Sequence, residues 1–254
     1  MTPEFTTQLF WLCPVVFVAG FIDAIAGGGG LLTVPAYLLA GLPPVSLLGT
    51  NKFVSTLGTL ISTGKYMWSG RMHWPAALIG LPATLIGAMY GAHTVTHLDP
   101  AIVRSVILVA LPIAAILTLL PKPRMLNTHA AATWTTPRLW WTVIPVAVLL
   151  GWYDGFFGPG TGTILVLLLY SIVRLPFLQA AAVARFFNLV SNAGALVTFV
   201  WNDQVLYRIG LPLAAASIAG HYCGSHLALR RGDGFVRAML AVSCSLVVVY
   251  LLWQ

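Results

Sequence analysis

Lys52 and Arg185 are two bases that fall inside apolar runs rather than in the turns between them. A charge held in hydrocarbon costs several kcal/mol unless it faces water or a partner, so each base needs a function or a counter-ion. Helical steps of three or four residues put Ser55 and Thr59 on the face of Lys52, and Asn188 and Asn192 on that of Arg185. Asn51 and Ser191 stand beside these stripes. An ammonium and a guanidinium supply positive charge, while amides and hydroxyls orient oxygens, so the set suits a small oxyanion. Asp23 and Asp154 are the acids within apolar runs; Glu4, Asp99, Asp203 and Asp233 lie at turns or the terminus. A carboxylate in such a place can carry a coupling ion such as a proton, close a helix end, or pair with Lys52 and Arg185 as glue between helices.

Two glycine runs stand nearby, Gly27-Gly28-Gly29-Gly30 and Gly158-Pro159-Gly160-Thr161-Gly162. They let the backbone unwind and expose amides at the start of a helix, where the positive dipole end attracts an anion; Gly28, Gly29, Gly30 and Gly160 are the candidates. They equally allow close helix packing in a membrane. A nucleotide loop is excluded, because no Gly-Lys-Ser/Thr follows either run and Thr33 stands where Gly-x-Gly-x-x-Gly needs its last glycine. The six histidines lack metal spacing; His221 and His226 could face a pore, although a buried, satisfied histidine is the commoner case. Cys13, Cys223 and Cys244 are scattered through apolar runs and form no disulfide framework. Neither a metal nor a cofactor is expected.

The elements that must position these groups follow from composition. Of 254 residues, 59% are hydrophobic and 7% are charged, with mean hydropathy +0.89. A soluble domain carries about 25% charged residues, so a soluble enzyme and a nucleic-acid-binding domain are excluded, and no nucleic-acid partner is expected. The pI near 9.7 reflects a shortage of acids. Met1 to Leu9 offers only Glu4, so no basic signal-peptide start is present and the first run is expected to stay as a helix. The apolar runs are continuous, which predicts a polytopic all-α membrane protein rather than a barrel. They fall at about 8–26, 31–41, 47–67, 74–96 and 101–120, then at about 139–157, 162–174, 177–200, 207–229 and 235–253. Tryptophans near segment ends, such as Trp68, Trp74, Trp141 and Trp201, are expected interfacial anchors.

The two sets read as one pattern written twice. Gly20-Phe-Ile-Asp23 answers Gly151-Trp-Tyr-Asp154 at an offset of 131, and Lys52, Gly91 and Arg104 answer Arg185, Gly224 and Arg237 at 133. This predicts a duplication, with a first transmembrane repeat at 1–120, a cytoplasmic linker at 121–138 and a second repeat at 139–254. In each repeat the second run is of half length and follows the glycine break, the sequence mark of a transporter's central site. Five segments per repeat put nine loop bases on one side, Lys65, Arg71 and Arg174 among them, against Arg104 and Arg208 on the other. Positive loops stay cytoplasmic, so the repeats are expected to be inverted. With four crossings per half the bases divide six against five, which decides nothing.

Gly20-Phe-Ile-Asp-Ala-Ile-Ala-Gly-Gly-Gly-Gly-Leu-Leu-Thr-Val-Pro35, Gly49-Thr-Asn-Lys52 and Gly151-Trp-Tyr-Asp-Gly-Phe-Phe-Gly-Pro-Gly-Thr-Gly162 resemble the TauE/SafE family, in its YfcA-like branch, over essentially the whole chain. That resemblance implies a multi-pass protein of the bacterial inner membrane that transports small sulfur-containing anions such as sulfite and sulfonates. It maps the family's motif positions onto Gly27–Gly30, Gly158–Gly162, Asn51, Lys52, Arg185 and Asn188. The family's usual eight spans differ from the ten segments counted here by the two short ones. The reading is a secondary transporter, not an enzyme, that moves a sulfite or organosulfonate by alternating access between two repeats. Lys52 and Arg185 would attract the anion, and Asn51, Ser55, Asn188 and Asn192 would orient it. Its partners are the anion and the lipid bilayer, with a coupling proton or sodium ion and a homodimer left open. An anion channel and a carboxylate transporter are the rivals. An intramembrane enzyme lacks its motifs, and a non-transporting assembly factor has no use for two buried bases.

Overall fold

The computed structural model describes residues 3–119 and 136–252, all of whose regular structure is helical. The helices are α1 (Pro3–Ala26), α2 (Gly30–Leu39), α3 (Pro44–Trp68), α4 (Trp74–Thr96), α5 (Pro100–Leu119), α6 (Thr136–Phe156), α7 (Thr161–Ser171), α8 (Phe177–Trp201) and α9 (Tyr207–Leu252). Gly232 breaks α9 into two arms, with φ 70° and ψ −162°. The ten expected runs are therefore found, the last two joined end to end. The expected linker lies almost wholly outside the described residues.

Gln8–Ile25, Trp74–Thr96, Leu139–Phe156 and Phe177–Trp201 are long and apolar enough to cross a bilayer. With their family, shown below, they mark a multi-pass membrane protein. Helix α3 has the 25 residues of α8 but is less apolar, because its buried face carries Thr50, Asn51, Lys52, Thr59, Ser62 and Thr63. Trp68, Trp141 and Trp201 are exposed at or near helix ends, where amphipathic rings anchor at an interface.

Packing repeats with the sequence. Under the correspondence α1 to α6, α3 to α8 and α4 to α9, the pair α1–α9 answers α4–α6, and α3–α9 answers α4–α8; these are the most extensive helix contacts after which α3–α8 closes the centre. Each half's fourth helix thus packs on the other half's first. The contacts match residue by residue. A β-carbon on Gly87 would meet Val148 O and Trp152 N, and one on Gly220 would meet Phe17 O and Phe21 N, the equivalent atoms. One turn on, Gly91 lies against the Trp152 carbonyl and Gly224 against that of Phe21. Two Gly-x-x-x-Gly stripes therefore bring backbones together, as small residues do in membranes. Gly91→Ala and Gly224→Ala should each cost about 1–3 kcal/mol through overpacking, read as a lower unfolding midpoint in detergent. Gly64→Ala, where a β-carbon meets nothing within 4 Å, should not lower it.

Short helices set the depth of the site. Helices α2 and α7 have 10 and 11 residues, about 15–16 Å at 1.5 Å each, half of a bilayer core of roughly 30 Å. Each is followed by a proline turn, Pro43-Pro44 or Pro176, that starts the next helix. Lys52 and Arg185 both lie eight residues into those helices, about 12 Å back along the path just travelled. A half-length helix followed by a full-length one thereby returns each base to the level of its glycine break.

Candidate functional site

The two glycine breaks meet at the centre of the molecule. A β-carbon on Gly27 would strike Gly162 and Thr163 N, and one on Gly30 would come within 3.1 Å of the Pro159 Cα. Gly27, Gly28, Gly158 and Gly160 have φ of 81°, 93°, 98° and 84°, a region that side chains with a β-carbon rarely enter. The N-termini of α2 and α7 thus come together, and their positive dipole ends with them.

A polar cavity of about 20 Å³ lies against this crossing. It is lined by Asp23, Gly28, Gly30, Asn51, Lys52, Ser55, Asp154, Gly158, Gly160, Gly162, Asn188 and Asn192. That volume holds a water molecule but not an oxyanion. The central site expected from the sequence is here small, because the breaks pack backbone to backbone.

Around it the charges are arranged unequally. Lys52 Nζ is 3.0 Å from Asp154 Oδ2, an ion pair between the two halves, and donates to Asn192 Oδ1 at 3.0 Å. Ser191 Oγ donates to Asp154 Oδ2 at 2.5 Å. Asn51 Oδ1 accepts from Thr33 Oγ1 at 2.7 Å, which ties α3 to α2. Asp23 closes the start of α2, accepting from Gly29 N at 2.9 Å through Oδ1, while its Oδ2 lies 3.2 Å from His221 Nε2. Arg185 stands apart. Its side chain is 0% exposed, and Nε, Nη1 and Nη2 have no hydrogen-bond partner among the described residues. Nη1 would sit 3.1 Å from a β-carbon on Gly162, so the guanidinium abuts the floor of the cavity at the α7 start.

Of the residues singled out from the sequence, Gly28, Gly30, Asn51, Lys52, Ser55, Gly160, Asn188, Asn192 and both aspartates line this cavity. Gly29 does not; it faces Asp23 from behind and lines a second small cavity with His221. Arg185 is behind Gly162 rather than on the wall. The pairing of bases with aspartates holds for Lys52 and Asp154, whereas the structure places no hydrogen bond or ion pair between Arg185 and Asp23. Spacing alone did not single out Gly158 and Gly162 as individual wall residues. Nor did it give His221 a partner, although the room for its ring, left by Gly20 and Gly58, is written in the sequence as two glycines. Among the described residues no group of three potential metal ligands clusters.

Comparisons with known proteins agree over most of the chain. The family model described as Sulfite exporter TauE/SafE matches residues 12–251. The chain is 36% identical to a probable membrane transporter protein, ORF9, of Sinorhizobium sp, over 92% of this chain and 88% of that one. It is 34% identical to a probable membrane transporter protein of Haemophilus influenzae, over 90% and 88%, and 29% identical to the probable membrane transporter protein YfcA of Escherichia coli K12, over 94% and 88%. No solved structure is a significant match. With paired helices, crossed glycine breaks and buried charges at equivalent places in both halves, the protein belongs to the TauE/SafE family of membrane transporters.

Proposed function

We propose that the protein is a secondary transporter of a small sulfur oxyanion, sulfite or an organosulfonate, in the bacterial inner membrane, and that its substrate binds where the two glycine breaks cross. The observation that carries this reading is the Arg185 guanidinium, fully buried and without a partner. An isolated buried cation is costly, and its planar fork of donors matches an oxyanion face. Lys52, held by Asp154 and Asn192, adds charge from the opposite half. Asn188, Ser55 and Asn51 line the same cavity with neutral polar groups.

In this mechanism the breaks separate to admit the anion, which replaces backbone contact with hydrogen bonds to exposed amides. Repeats 1–120 and 139–254 run in opposite senses, an odd number of segments each, joined by a cytoplasmic linker. One rocks against the other around the site, which gives alternating access. A cavity of about 20 Å³ supports a carrier over an open channel. Thermal-shift screening of the purified protein against sulfite, methanesulfonate, sulfate and acetate tests the reading, followed by counterflow of labelled sulfite and methanesulfonate in proteoliposomes. Stabilisation and counterflow with the sulfur anions are expected. A response to acetate alone would replace the substrate class, and conductance far above carrier rates would replace the mechanism.

A further inference from the structure

The equivalence of the halves makes a difference between their two aspartates legible. On the Asp154 side, α8 supplies Ser191, which donates to the carboxylate, and α4 places Ala88 against Gly155. The positions equivalent to Ser191 and Ala88, 133 residues away in each case, are Gly58 and His221. At Asp23 the hydroxyl donor has therefore been lost and an imidazole donor gained. The ring fills space that glycines vacate: a β-carbon would lie 2.8 Å from His221 Nδ1 on Gly20 and 2.6 Å from it on Gly58. A fixed neutral donor in one half is thus matched by a titratable one in the other.

The contacts of that ring count its protons. Nδ1 lies 3.0 Å from the Ser217 carbonyl oxygen, with the Ser217 hydroxyl farther off at 3.4 Å. Nε2 lies 3.2 Å from Asp23 Oδ2. A carbonyl and a carboxylate only accept, so with Nδ1 on the nearer carbonyl rather than the hydroxyl, both nitrogens donate, or the carboxyl holds the second proton. Either way one dissociable proton sits between His221 and Asp23. Without it, a nitrogen lone pair would face a carboxylate oxygen and Asp23 would be released. The charged neighbours show where it would go. Arg185 of α8 and Lys52 of α3 both act electrostatically on Asp23, and Lys52 already has Asp154. Arg185 also acts electrostatically on Tyr66 of α3; Arg104 of α5 lies elsewhere, lining a separate cavity with Pro35 and Leu38. On α9 itself His226 is exposed, one turn away from the buried His221. Asp23 also stands in the wall between the central cavity and the one lined by His221, which share Gly30 and Ser55.

We propose that the His221–Asp23 pair carries a coupling proton, and that the protein moves one proton together with each monovalent anion. A proton taken from the open aqueous side binds Nε2, forming an N–H bond that draws Asp23 to the ring and leaves Arg185 free for the anion. After the rocking step the proton leaves to the other side, Asp23 turns to Arg185, and the anion is displaced. Charge balances: one anion and one proton cross together. This inference rests on the anion site proposed above.

Methanesulfonate is the probe, because it stays ionised across the range and any pH effect belongs to the protein. In pyranine-loaded proteoliposomes an inward methanesulfonate gradient is expected to acidify the lumen. Binding to wild type, read by thermal shift, should weaken as pH rises, approaching about tenfold per pH unit once the shared proton dissociates, as linkage of one proton requires. His221→Gln, whose amide donates to Asp23 at every pH, should give pH-independent binding and counterflow without acidification. Asp23→Asn, the second variant should the first not fold, should also abolish acidification. Counterflow in wild type without acidification, or acidification undiminished in either variant, would overturn the coupling while the anion site stands. No wild-type counterflow with methanesulfonate or sulfite would overturn the anion site, and the coupling with it.

Discussion

Arg185→Gln is expected to reduce anion counterflow by about 10²–10⁴-fold while raising, not lowering, the unfolding midpoint. The two signs come from one fact: the guanidinium is 0% exposed and has no partner among the described residues. A hydrogen bond to a charged group contributes about 1.5–3 kcal/mol, so losing a bidentate contact removes roughly 3–6 kcal/mol, with each 1.4 kcal/mol worth tenfold. In the absence of anion, however, the same charge costs desolvation that its attraction to Asp23, made without a hydrogen bond, only partly offsets, and a neutral amide costs less. Flux in proteoliposomes and a thermal scan in detergent check the two halves of the expectation. A lower midpoint with flux preserved would make Arg185 a structural residue.

Asp154→Ala should act in the opposite sense on stability, at about 3–5 kcal/mol, the usual cost of removing one partner of a buried ion pair. Lys52 is then left in the protein interior, 2% exposed, with only Asn192 as an acceptor, and Ser191 loses the carboxylate it donates to. Replacing both members by apolar residues of similar size, Lys52→Met with Asp154→Leu, should restore most of that loss, because neither charge remains to be desolvated. Transport should not return, since the cavity has lost its second cation. Unfolding midpoints of the two single variants and the double variant, with counterflow of each, separate the structural from the functional role of this pair. Flux at the wild-type rate in the double variant would take Lys52 out of the anion site.

The comparison of these two bases shows how far one-dimensional reasoning reaches. Hydropathy exposes Lys52 and Arg185 because a charge in an apolar run needs a reason wherever it lies. The offset of 131 to 133 residues identifies their equivalence and that of Gly91 with Gly224, but not the crossings that those glycines make. Nothing in that offset distinguishes a base that is neutralised from one that is not. The difference depends on Ser191 against Gly58 and Ala88 against His221, four residues on four helices whose meeting is set by packing.

The amino-acid order by itself determined the class, the matched spacing of the two halves, the two bases within apolar runs and the half-length helices behind their glycine breaks. These are properties of local hydropathy, backbone permissiveness and periodicity, and need no knowledge of what touches what. Only the folded chain decided that the breaks cross, that the cavity between them is small, that Lys52 is paired while Arg185 has no hydrogen-bond partner among the described residues, and that Asp23 turns to an imidazole. Each of those depends on angstrom-scale contact between groups as far apart as 140 residues for Lys52 and Asn192 and 198 for His221 and Asp23. Electrostatic partnership falls off within a few ångströms, a scale that spacing along the chain does not encode.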